Sequence, residues 1–245
     1  MIKRKKLLIW LLSVFVTVAL LFSACAVYVS DFYSADKDAI STFGESYSVN
    51  KTVLENGDVV FAPENATCGI IFYPGGKVEH TAYEPLMLAL AEKGFACVLI
   101  KMPFNLAVLD VSAANPYFEK YPFITSWFLS GHSLGGSMAA SFACNNAEKL
   151  SGIILLGSYS TADLTKTDLS VLSVYGENDK VLNKEKYDKY FPNLPENTEE
   201  FVVPGGNHAY FGFYGLQKGD GTATITPQEQ ISITANKIEE FINKR

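Results

Sequence analysis

Apolar residues in this chain fall into short unbroken runs separated by stretches with helical spacing. Cys68-Gly69-Ile70-Ile71-Phe72-Tyr73, Phe95–Ile100, Ile124–Leu129, Ile153–Tyr159, Val171–Tyr175 and Phe201–Val203 are the runs. A strand with one wet face alternates, so continuous runs of this length predict strands buried on both faces. After the first run, His80 to Lys93 carries Tyr83, Leu86, Met87, Leu90 and Ala91 on one helical face and stops at Gly94. Further helices are predicted from Leu134 to about Ala147 and from Pro227, a good first helical residue, to about Asn243. Ala107 to Lys120 reads as partly helical. Ahead of the first run, Tyr47–Leu54 and Val59–Ala62 flank Glu55-Asn56-Gly57-Asp58, a strong hairpin signal. Alternation of strand and helix predicts an α/β protein with a doubly wound, mostly parallel sheet flanked by helices. Ligands in such sheets bind at the carboxyl ends of the strands.

The chain begins differently. Lys3, Arg4, Lys5 and Lys6 precede Leu7 to Val29, which carries no charge and is long enough to cross a bilayer with some tilt. Basic residues stay on the cytoplasmic side, so the remainder is expected outside. The rival is a cleaved signal, because Phe22-Ser23-Ala24-Cys25 loosely resembles a lipobox. The apolar run continues past it through Val29, which favours an uncleaved single-pass anchor in the cell membrane. The expected organisation is an anchor over residues 1–30, a polar and aromatic linker over 31–46 and one domain over 47–245. The residues beyond the anchor suffice for one sizeable domain and not two.

The net charge of −6 makes nucleic acid a poor candidate partner. Cys68, Cys97 and Cys144 lack metal-ligand spacing. Cys68 and Cys97 open strands expected to be neighbours, so a disulfide is conceivable in an oxidising compartment, although buried free thiols are favoured.

The chemistry is concentrated at Trp127-Phe128-Leu129-Ser130-Gly131-His132-Ser133-Leu134-Gly135-Gly136. Gly-x-Ser-x-Gly between a strand and a helix of small residues predicts a tight turn that exposes a nucleophilic hydroxyl, Ser133. Such a hydroxyl needs a base, and the base needs an acid to fix its tautomer. Of the three histidines, His132 is expected to point inward and His80 opens a helix. His208 lies in Gly205-Gly206-Asn207-His208-Ala209, on a glycine-rich loop after a late strand, and is the expected base. Asp179, four residues past the strand ending at Tyr175, is the expected acid, with Glu177 as competitor. The oxyanion requires two backbone donors. Leu134 N–H is one, and Gly76 is the choice for the other, with Lys77 in reserve. Lys77, Met102, Asn105 and Tyr210 are expected to contact substrate, with Pro103, Phe104, Leu106 and Phe211–Tyr214 completing the wall.

The order Ser133, Asp179, His208, with Gly-His-Ser-Leu-Gly-Gly after a strand, resembles the α/β-hydrolase superfamily over about residues 47 to 243. With Gly-Gly-Asn-His-Ala, the set is similar to a small, dienelactone-hydrolase-like branch found in membrane-anchored bacterial proteins. The resemblance implies a serine hydrolase that works through an acyl-enzyme, without cofactor or metal. Tyr73-Pro74-Gly75-Gly76-Lys77 stands where many members carry a His-Gly oxyanion motif. Lids of the family usually enter between the strands placed here at Ile153–Tyr159 and Val171–Tyr175. Ser160–Ser170 is too short for one, so no cap domain and an open site are expected. A small or medium carboxylic ester is the expected substrate. An amidase on the same triad, or a binding module that keeps the fold, are the alternatives.

Overall fold

In a computed structural model, residues 2–43 and 48–244 are described. Tyr47, at the start of the expected hairpin, and residues 44–46 of the expected linker lie outside them. The chain divides into two compact units, residues up to Phe32 and residues from Tyr33 onward.

The first unit is one helix, α1 (Ile2–Ser30). Its apolar stretch Lys5–Ser30 has 26 residues. At about 1.5 Å per residue that is roughly 39 Å, long enough to cross a bilayer.

The second unit starts earlier than the expected linker allowed. Tyr33 pairs with Val78 in an isolated parallel bridge, and its N–H donates to Lys77 O at 2.7 Å. A short helix, α2 (Lys37–Ser41), comes next, capped by the Asp36 carboxylate. Residues 33–43 thus pack as part of the domain.

Among the described residues the sheet has eight strands. They are β1 (Val49–Val53), β2 (Val59–Pro63), β3 (Cys68–Tyr73), β4 (Ala96–Leu99), β5 (Ser126–His132), β6 (Gly152–Leu156), β7 (Ser170–Gly176) and β8 (Glu199–Val203). Their order is β1-β2-β4-β3-β5-β6-β7-β8. β1 and β2 form the hairpin and β2 pairs antiparallel with β4, while all other pairs are parallel. The remaining helices are α3 (Glu84–Glu92), α4 (Asn115–Lys120), α5 (Leu134–Asn145), α6 (Lys184–Tyr190) and α7 (Pro227–Asn243).

The unbroken runs of β3 to β7 are buried twice over, whereas β8, expected to be buried on both faces, is an edge strand with Val202 36% exposed. Ile70 and Phe72 of β3, Phe128 of β5, Ile154 and Leu156 of β6 and Leu172 and Val174 of β7 pack with Leu86, Leu90, Ile238 and Phe241 of α3 and α7. Their neighbours Ile71, Leu129, Ile153, Leu155 and Val171 pack on the other face with Ala139, Phe142 and Ala143 of α5. Period-two alternation therefore feeds two cores, which is why polar residues are scarce in these strands.

Several boundaries differ from the sequence expectation; β5 runs Ser126–His132, up to Ser133, rather than Ile124–Leu129, and β8 starts at Glu199. The helix expected over His80–Lys93 splits into a 3₁₀ turn at His80–Tyr83 and α3, because Pro85 supplies no N–H and its ring blocks a continuous turn. β6 stops at Leu156, where Gly157 takes φ +51°. α5 stops at Asn145 and a 3₁₀ turn covers Ala147–Lys149. Among the described residues no helix or strand lies between β6 and β7, so no cap domain enters there. Cys25, Cys68, Cys97 and Cys144 are free thiols.

Chain direction reverses across the sheet at β3. β4 lies on one side of it, and β5, next in sequence, on the other. The crevice at such a switch opens at the carboxyl ends of the strands, between the segments following Tyr73 and His132.

Candidate active site

Ser133 sits in that crevice, between β5 and α5, with φ 51° and ψ −120°. A non-glycine residue there costs on the order of 1–3 kcal/mol, so surrounding contacts must hold it. They do. Ser133 N–H donates to Leu156 O at 2.9 Å, and Ser158 Oγ donates to Ser133 O at 2.7 Å. A Cβ on Gly131 would lie 2.5 Å from the Gly135 carbonyl carbon, and one on Gly135 would strike Tyr73 O and Pro74 O. Both glycines are therefore required by close approach of backbone to backbone.

The Leu134 N–H opens α5, and the Gly76 loop lies against it, since a Cβ on Gly76 would fall 2.9 Å from Leu134 Cδ2. Among the described residues neither N–H has a protein acceptor. Lys77 N–H is committed to Asn105 O at 2.8 Å, which removes the reserve donor.

His208 follows β8. Its Nδ1 lies 2.7 Å from Asp179 Oδ2, and both side chains are only 1% exposed. The other carboxylate oxygen, Oδ1, accepts from Val181 N–H at 2.9 Å and Leu182 N–H at 2.8 Å. A carboxylate accepts, so the imidazole proton sits on Nδ1 and Nε2 is left as a base. Among the described residues that buried Nε2 has no hydrogen-bond partner.

The other candidates are engaged elsewhere. Glu177 Oε2 accepts from Gly205 N–H at 2.8 Å and braces the His208 loop. His80 Nε2 lies 3.0 Å from Gly57 O, beside the β1–β2 turn. His132 is fully buried, with Nδ1 2.8 Å from the Tyr83 hydroxyl and its ring 4.4 Å from that of His208. Burial, followed by the neighbouring His208, pushes its pKa well below 6.5.

Three supporting residues carried no signal that singled them out. Asp220 accepts from Ala209 N–H at 2.9 Å, His208 N–H at 3.3 Å and Lys180 N–H at 3.3 Å. It thereby links the loops of His208 and Asp179. Gln230 of α7 makes a two-way amide pair with the Asn207 main chain, at 2.9 and 2.8 Å. Tyr83 holds His132. The helix that carries Gln230 was legible by its Pro227 start, and Tyr83 by its apolar position in the His80–Lys93 stretch, but neither pattern recorded the contact each makes.

Ser133 and His208 line one cleft of about 240 Å³, together with Leu134, Ser137, Gly157, Ser158, Tyr159, Val181, Leu182 and Asn183. The expected substrate residues do not line it. Met102 is buried in the α5-side core, Lys77 and Asn105 are tied to each other by the main chain, and Tyr210 packs against the α3–α7 core. This cleft is lined by the segments after β6 and β7 together with the Ser133 turn, Ser137 of α5 and His208. A larger groove, about 490 Å³, runs past Ile40, Phe43, Phe61 and Leu88. Its ionisable lining is Lys51 and Glu84, paired at 2.6 Å, so it offers no imidazole base.

The alpha/beta hydrolase family profile matches residues 69–232. No curated protein matches the chain. Among solved structures, a dienelactone hydrolase from Anabaena variabilis superposes with a TM-score of 0.61 at 14% identity, covering 81% of this chain and 99% of its own. A predicted CIB-like hydrolase from Thermoplasma acidophilum gives 0.54 at 15% identity, covering 78% and 98%. At these identities the likeness is one of fold. With the profile spanning most of the sheet and both loops of the site, the chain belongs to the alpha/beta hydrolase family and has a dienelactone-hydrolase-like fold.

Proposed function

We propose that this hydrolase is a serine esterase that cleaves small or medium carboxylic esters through an acyl-enzyme. The observation that carries the reading is a buried Asp179–His208 pair whose histidine lines the same cleft as Ser133, which sits on a strained turn at a helix start. Ser133 Oγ attacks the ester carbonyl carbon as His208 Nε2 takes its proton. The Leu134 and Gly76 N–H groups receive the oxyanion. Collapse of the tetrahedral intermediate breaks the carbonyl–alkoxy bond, and His208 returns the proton to the departing alcohol. Water, activated by the same nitrogen, then releases the acid and restores Ser133. Asp179 keeps the imidazole proton on Nδ1 and balances the cation formed on His208.

The cleft supports a small substrate, because drug-sized ligands occupy pockets of roughly 300 Å³ or more. The basic start and apolar length of α1 support a single-pass membrane protein with its hydrolase domain outside the cytoplasm.

Full-length protein in detergent should hydrolyse short p-nitrophenyl esters faster than the decanoate, and Ser133→Ala should abolish both turnover and fluorophosphonate labelling. Turnover surviving in Ser133→Ala would reject the nucleophile. Absence of both turnover and labelling in the parent protein would favour a non-catalytic module.

A further inference from the structure

Three segments that the proposed reaction uses converge on one hydroxyl group. Gly75 precedes the proposed oxyanion donor, His132 precedes the proposed nucleophile, and the His132 ring lies against the proposed base. The Tyr83 hydroxyl accepts from Gly75 N–H at 3.1 Å and lies 2.8 Å from His132 Nδ1. Tyr83 and His132 are both fully buried. The imidazole of His132 sits 4.4 Å from that of His208 and 5.5 Å from Phe211, so its plane is one wall of the base's position.

Gly75 N–H can only donate, and the Tyr83 oxygen accepts it while also pairing with His132 Nδ1, so one hydroxyl joins the two segments whichever tautomer the ring holds. Among the described residues His132 Nε2 has no hydrogen-bond partner. Space at the junction is tight. A Cβ on Gly75 would fall 2.8 Å from both Tyr83 Oη and His132 Nδ1, inside the hydrogen bond itself. Burial keeps the phenol protonated and the imidazole neutral, so the relay carries no charge to compete with Asp179.

We propose that Tyr83 and His132 are a positioning pair, which fixes the oxyanion loop through Gly75 and the ring of the base through His132. The inference rests on the esterase reading, since it concerns the same site. Neither residue touches the substrate. Removing the hydroxyl orphans a buried N–H and a buried ring nitrogen, so the loop and the ring relax independently. Misplacement of this kind lowers turnover on the order of tenfold to a hundredfold without weakening ground-state binding.

The test uses full-length protein with Tyr83→Phe, His132→Asn and His132→Leu, and kcat is expressed per fluorophosphonate-labelled site. Asn offers an oxygen close to where Nδ1 lies, and Leu offers none. Tyr83→Phe and His132→Leu are expected to lose kcat about tenfold or more with KM within about twofold, whereas His132→Asn keeps most of it. Wild-type kcat per labelled site in Tyr83→Phe would overturn the inference and leave the esterase reading intact. Fewer labelled sites at unchanged kcat would also overturn it, since that is the mark of a merely structural role. A parent protein that neither labels nor turns over would remove the esterase reading and this inference with it.

Discussion

Replacing Asp179 with Asn tests the proposed acid with almost no change in shape. Asp179 Oδ1 accepts two main-chain N–H groups, at 2.9 and 2.8 Å. An amide oxygen can accept both, so it is held at the Oδ1 position and the amide nitrogen takes the Oδ2 position. That nitrogen donates, and it would face His208 Nδ1 across 2.7 Å. Two donors cannot share that distance, so the imidazole proton moves to Nε2 and Nδ1 becomes the acceptor. The base is then in the wrong tautomer, and the cation formed in the reaction loses its counter-charge. The combined cost is on the order of 10⁴ in kcat, or about 5.4 kcal/mol at roughly 1.36 kcal/mol per tenfold. Stability should suffer less, because every main-chain donor keeps its acceptor. Glu177→Gln is the control. It retains an acceptor for Gly205 N–H, so stability should fall by about 1 kcal/mol or less and kcat should hold. The assay is kcat/KM for p-nitrophenyl acetate, normalised by fluorophosphonate titration, with the folded fraction read by circular dichroism. Near-parental turnover in folded Asp179→Asn, or a matching collapse in Glu177→Gln, would refute the assignment.

Gly157→Ala should cut kcat/KM at least about tenfold, as measured in the same assay. Its Cβ would lie 2.9 Å from His208 Nδ1 and 3.3 Å from Asp179 Oδ2, at a φ of +51° that disfavours a side chain. Thr226→Ala removes the capping box of α7, in which Glu229 N–H donates to Thr226 Oγ1 at 3.2 Å and Thr226 N–H to Glu229 Oε2 at 2.7 Å. It should cost about 1 kcal/mol, or a Tm loss of roughly 2–4 °C by calorimetry, with kcat unchanged. Stability should decline as pH falls below about 6.5, the unfolded histidine value, because His132 and His80 are both held below it by burial. Between the folded and unfolded values the unfolded chain binds protons that the native chain does not, so each such histidine contributes a slope of about 1.4 kcal/mol per pH unit. Urea midpoints at pH 7 and pH 5 read the effect, and His132→Asn should flatten it.

The central strands, β3 to β7, were legible because each is covered on both faces and thus reads as an unbroken run, while β1 and β2 were legible by the turn between them. The turn at Ser133 was legible because its backbone crowding admits only small residues at fixed spacing. What escaped the sequence depends on which loops approach one another. Asp220 stands in Lys218-Gly219-Asp220-Gly221, a stretch indistinguishable from a solvated turn until the segments after β7 and β8 are brought to it. α6 escaped for another reason, since Tyr187 is its one buried residue and supplies no apolar period. Met102 and its neighbours are apolar residues at a carboxyl edge, and that pattern fits either core or pocket. Met102, 3% exposed, serves the core. Ser158, Tyr159, Leu182 and Asn183 serve the cleft, from loops whose paths no periodicity records.

Two imidazoles lie ring to ring at this site, and they face different partners. His208 faces a carboxylate whose remaining oxygen is saturated by main-chain donors, so a positive charge on that ring is balanced where it forms. His132 faces a phenol that burial keeps neutral, so a positive charge on that ring would find no counter-charge there. Proximity sharpens the difference, because charge on His208 further disfavours charge on His132. The asymmetry follows from the connections of the sheet. β7 delivers Asp179 and β8 delivers His208 to one side, while the turn into α3 delivers Tyr83 from the other. The histidine directly before Ser133 is therefore confined to a neutral, space-defining part, and in the proposed mechanism the one supplied by the late loop accepts and returns the proton.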